Sequence, residues 1–130
     1  MNIEELNQQI AVGEHNFSGV DLSGVDLSDR DLSEIKLTDA TLKQTNFQGT
    51  RLEAAELSHA DLTEANLNSA NLTKANFNEA NLQKADLFKA KLEQANFKNA
   101  NLTEANLTDA SLTQTDLSTA NLNKANFKGR

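Results

Sequence analysis

Asp39, His59 and Glu79 stand twenty residues apart, and an imidazole between two carboxylates is the beginning of a metal site. That chemistry requires a fold that returns to the same place every twenty residues. His15 and Arg30 put large polar side chains where most of the chain has alanine, which marks one end of the sequence as a candidate polar site. Phe88, in "ADLFKA", interrupts an otherwise regular spacing of aromatic residues and is flanked by Asp86 and Lys89. The chain has no Cys, which excludes a disulfide framework and a thiolate metal site.

The elements that must position these residues are written in a period of five. From position 17 to position 127 every fifth residue is Leu or Phe, 18 Leu and five Phe. Two positions before each of these 23 centres stands Ala in 15 cases, and one position before stands Asn or Asp in 17. The other two positions are polar or small almost throughout. On an α-helix, residues five apart are rotated by roughly 140°, so the Leu side chains would scatter around the axis. On a strand, residues five apart face opposite sides. The chain must therefore turn once in every five residues. Ala and Leu, two apart, share one face of a short extended segment, and the other three positions point outward or form the corner. Asn, Asp, Ser and Gly suit such corners. A chain that turns at fixed intervals with one face inward is a solenoid, each coil burying its core against the next.

"ADLTEANLNSANLTKANF" resembles the pentapeptide repeat pattern, A(D/N)LXX, and the resemblance runs unbroken from residue 15 to residue 129. It implies an all-β solenoid: a right-handed quadrilateral parallel β-helix of just under six coils, four pentapeptides to the coil, with a short N-terminal capping α-helix. At ~4.8 Å between stacked strands the tower would stand about 28 Å tall. The opening "VGEHNFSGVDLSG" is similar to the start of short cyanobacterial members. The resemblance also implies few known activities, the best understood being acidic, DNA-like dimers that bind type II topoisomerases.

Residues 1–13 read independently as the cap and 14–130 as the solenoid. Asn2 can N-cap a helix with Glu5 three residues later, Ile3, Leu6 and Ile10 share a face, and Gly13 can stop it. The expected helix covers 3–12 and closes the first coil, whose core and strand edges would otherwise meet water.

Coils of twenty residues let outward positions be stacked in columns. Asp39, His59 and Glu79 fall in one, but a single imidazole and two carboxylates on a flat face is thin ligation. The expectation is a histidine held by neighbouring negative charge, with no metal. Glu64, Lys84, Glu104 and Lys124 form another column, read as an alternating charge ladder. His15 and Arg30 are expected to escape toward solvent at the first coil and reach Glu4, Glu5 or Glu14. The columns hold no nucleophile beside a base and no glycine-rich phosphate loop, and the narrow interior leaves no cavity. No enzyme and no cofactor are expected. Regular ranks of Thr, which an ice-binding face would need, are interrupted by charges.

The net charge is -7, which disfavours nucleic acid as a direct partner. No apolar run approaches the ~20 residues of a membrane span, and the N-terminus lacks the marks of a signal peptide, so a cytoplasmic protein is expected. Residues 1–65 carry a net -9 and residues 66–130 a net +2. A DNA mimic should be acidic along its whole length. A non-enzymatic protein-interaction or scaffold module therefore ranks first, with an unidentified protein partner, and a DNA-mimic regulator of a type II topoisomerase second. Phe88, Lys89 and Asp86 are the expected contact surface. At the C-terminal end, Leu117, Leu122 and Phe127 are expected to face open space beside unpaired strand edges, an arrangement that a weak homodimer through that end would cover.

Overall fold

The computed structural model describes residues 1–129. Helix α1 spans Ile3–Ala11. The Asn2 carboxamide oxygen accepts the Glu5 N–H at 2.9 Å, satisfying one of the free donors of the first turn. Glu4 and Glu5 place negative charge at the positive end of the helix. Val12 is the C-cap, and Gly13 follows with φ 89°, the left-handed conformation that ends a helix and that glycine adopts without a Cβ clash. Leu6 is fully buried, and Ile3 and Ile10 pack against the same core. The helix thus ends one residue earlier than the sequence reading, at the C-cap.

The rest of the described chain is a right-handed parallel β-helix solenoid. Every bridge joins a residue to the one twenty positions on, from Asn16↔Lys36 to Asn106↔Asn126. Each strand position is only a few residues wide. Leu62 N–H donates to Asn81 O at 2.7 Å, while Asp61 N–H donates the other way to Ala40 O at 2.9 Å. Ala65 N–H then closes a turn onto Leu62 O at 2.9 Å, with Glu64 at φ 59°. A positive φ at the second central residue makes this a type II turn, and the positive φ recurs at every fifth residue from Gly19 to Gly129.

The repeat chemistry explains the Asn/Asp preference. The side-chain oxygen accepts the N–H two residues on, as Asn66 does from Asn68 at 3.0 Å and Asn101 from Thr103 at 3.0 Å. This bond pre-forms the turn. The left-handed corner itself is taken mostly by residues with no special liking for it, among them Glu34, Lys74, Gln94 and Thr119. Their conformation is imposed by the stacked backbone rather than chosen by the side chain.

Inside, the Leu and Phe centres from Phe17 to Leu107 are buried, as are the alanines from Ala40 to Ala110 that stand at the inward positions. The rings of Phe77 and Phe97 stack with centroids 4.6 Å apart. Where Thr replaces Ala, the hydroxyl finds a main-chain acceptor on the coil before: Thr45 on Leu22 O at 2.8 Å, Thr50 on Leu27 O at 2.7 Å and Thr115 on Leu92 O at 2.6 Å. No buried hydroxyl is left unpaired at these sites, which removes the cost of putting it there.

Candidate interaction surface

Asp86, Phe88 and Lys89 come together on one face of one coil. Asp86 precedes the buried Leu87, and its carboxylate accepts the Phe88 N–H at 3.0 Å and the Asn106 carboxamide of the next coil at 3.4 Å. This fixes the turn that carries Phe88. The Phe88 ring is half-buried rather than fully exposed, and the Lys89 ammonium lies 5.3 Å from its centroid. The cation sits against the ring's negative face, an arrangement that offers a partner apolar surface and a positive charge together. Above and below, the same column holds Asn68 and Thr108, both shorter than Phe.

The histidine column is only half joined. His59 Nε2 lies 3.1 Å from Glu79 Oε2, with both side chains about half exposed. Among the described residues Asp39 makes no ion pair with His59. Among the described residues no group of three or more His, Asp and Glu is arranged to hold a metal ion.

The expected ladder of Glu64, Lys84, Glu104 and Lys124 is not made: among the described residues none of these four pairs with another. Glu64 instead accepts the Gln44 carboxamide at 3.4 Å. The ion pairs run elsewhere: Lys43 to Asp61 at 3.7 Å, Lys98 to Asp116 at 3.8 Å, and Arg51 to both Asp31 at 3.8 Å and Glu53 at 3.1 Å. Holding two long exposed side chains in one geometry costs rotamer entropy that an exposed pair hardly offsets.

The polar end site also differs. His15 is exposed, and Glu14 accepts the backbone N–H groups of His15 and Asn16 at 2.9 Å each. These bonds hold the Glu14 carboxyl below its ordinary pKa. Arg30 reaches none of the three expected glutamates. Arg30 is half-buried, and its guanidinium donates to the Asn7 carboxamide on α1. Leu117, Leu122 and Phe127 are half-buried against the core behind them, where the centres from Phe17 to Leu107 are buried, and among the described residues the N–H groups of these three donate to nothing.

Among the described residues no helix is long and apolar enough to cross a membrane. No curated protein matches the chain. Solved structures do. HetL, a pentapeptide repeat protein involved in heterocyst differentiation regulation from the cyanobacterium Nostoc sp. strain PCC 7120, is 34% identical with a TM-score of 0.85. The match covers 87% of this chain and 48% of HetL, so this chain spans about half of HetL's length. Rfr23, a pentapeptide repeat protein from the cyanobacterium Cyanothece 51142, is 28% identical with a TM-score of 0.89, covering 95% of this chain and 99% of its own. A pentapeptide repeat protein from the Arabidopsis thaliana thylakoid lumen is 38% identical with a TM-score of 0.59, over 77% of this chain and 70% of its own. The family model described as pentapeptide repeats matches residues 16–53, 55–94 and 90–129. The chain belongs to the pentapeptide repeat family.

Proposed function

We propose that this chain is a non-enzymatic protein-interaction or scaffold module, needing no cofactor and working in the cytoplasm. The observation that carries the reading is the filled axis: Leu, Phe, Ala and two Thr close the interior, and among the described residues no titratable side chain is buried there. Broad faces of polar side chains suit contact with a second macromolecule, whereas small-molecule sites are enclosed and mostly apolar. Similarity to HetL, a protein involved in heterocyst differentiation regulation, supports a regulatory role. In this reading residues 1–13 cap, and residues 14–130 form, one solenoid of just under six coils, and Phe88, Lys89 and Asp86 are its contact surface. Leu117, Leu122 and Phe127 are part of the same proposal as a weak pairing of two copies, read by light scattering at rising protein concentration.

Capture of a protein from the source cell on immobilised wild type, repeated with Phe88→Ala, tests the surface. Loss of the captured partner with an unchanged melting temperature supports it, and equal capture removes Phe88 from the contact. The second reading, a DNA-mimic regulator of a type II topoisomerase, is weighed down by the charge: residues 66–130 are net positive, which a continuous mimic of a polyanion does not tolerate. Inhibition or protection in a gyrase supercoiling assay would reverse the ranking.

A further inference from the structure

On the face adjoining that of Phe88, an open cleft of about 410 Å³ is cut into the otherwise flat solenoid. Its cause is one residue. Glu34, Ala54 and Lys74 occupy the same left-handed corner on successive coils, with φ values of 63°, 57° and 63°. The shared backbone conformation sends their side chains outward in parallel. Glu34 and Lys74 are therefore two walls about 9.6 Å apart, twice the strand spacing, and Ala54 between them offers only a methyl group. Taking one long side chain out of a column with a ~4.8 Å repeat leaves a slot one side chain wide. Arg51 stiffens the floor: its Nε and Nη2 donate to Glu53 Oε1 at 3.2 and 3.1 Å. Among the described residues, the Glu34 carboxylate and the Lys74 ammonium have no ion-pair partner.

The walls differ in kind. Glu34 only accepts hydrogen bonds and Lys74 only donates them. A primary carboxamide, which does both, can donate to one and accept from the other without adding charge. A carboxylate would repel Glu34, and an ammonium would repel Lys74. The chain already builds such rungs in corner columns: Gln94 Nε2 donates to Gln114 Oε1 at 3.0 Å two coils along this very column, and Gln44 Nε2 donates to Glu64 Oε1 at 3.4 Å on another face. We propose that the slot over Ala54, between Glu34 and Lys74, receives the side-chain carboxamide of a glutamine from a protein partner as the missing rung of the column.

The probes are two capped tripeptides, acetyl-Gly-Gln-Gly-amide and its norleucine counterpart, titrated into the full chain while backbone amide NMR shifts are followed. The glutamine peptide should move the signals of Glu34, Ala54 and Lys74, and the norleucine peptide should not. Ala54→Gln fills the slot from within; because Gln is already accepted at φ 57° to 63° at positions 44, 94 and 114, the variant folds. It should abolish the response and raise Tm. Phe88→Ala should leave the response unchanged, which separates this slot from the surface proposed above. An equal response to both peptides, a response surviving Ala54→Gln, or one lost in a folded Phe88→Ala would each overturn the assignment.

Discussion

Phe97 lies on Phe77 with ring planes 3° apart and centroids 4.6 Å apart, and both rings are fully buried. The two stand twenty residues apart, so the stack runs along the solenoid axis and couples one coil to the next. Phe97→Ala should cost about 3–5 kcal/mol in chemical denaturation, because rigid coils on both sides cannot collapse into the void. A loss below about 1 kcal/mol would mean that the stack contributes little beyond area.

The narrow axis fails in both directions. Leu72→Ala should cost about 2–5 kcal/mol by leaving a cavity. Ala70→Leu should cost about 1–3 kcal/mol by forcing neighbouring coils apart, since Ala70 is fully buried. Thermal melts that match wild type in both variants would show the inward positions to be misassigned.

Thr45 tests the buried hydroxyls. Thr45→Val keeps the shape and removes the bond to Leu22 O, which still accepts the Val25 N–H at 3.1 Å. With the acceptor still paired, the loss should be near 1 kcal/mol. A loss several times larger would point to a backbone rearrangement rather than a missing bond.

Acid should weaken the fold through a defined set of groups. In Asp26, Asp31 and Asp116 the hydroxyl of the serine two residues on is the main cause that lowers the pKa, with its N–H second, and in Asp21 the order is reversed. A carboxyl whose pKa is depressed by folding contributes stability above its unfolded pKa of ~3.9 and loses it as pH falls through the folded value. Stability should thus decline below about pH 4. Asn keeps the accepting oxygen and does not titrate, so replacing all four by Asn should flatten that decline; an unchanged acid limb would refute the assignment.

Left-handed corners carry strain that glycine relieves. Glu104 sits at φ 59°. Glu104→Gly should leave stability unchanged or raise it by up to about 1 kcal/mol, the relief of the left-handed conformation offsetting the added freedom of the unfolded chain. Melting several degrees lower would show that the Glu side chain itself holds the corner.

Local chemistry made the solenoid legible. The Leu/Phe centres and inward alanines declared a five-residue turn, and Asn2 and Gly13 bracketed α1. These depend on neighbours in sequence, so the sequence by itself determined them. The tertiary structure alone decided which outward side chains meet across coils. His59 found Glu79 but not Asp39, Arg30 found Asn7 rather than a glutamate, and the Glu64–Lys84 ladder stayed open. Columns are readable from a period of twenty, but contact across a ~4.8 Å rise depends on side-chain length, rotamer and the direction set by a left-handed Cα. Ala54 shows the same division. Its letter is ordinary, and it becomes a slot only because identical corners on either side hold Glu34 and Lys74 parallel across the gap.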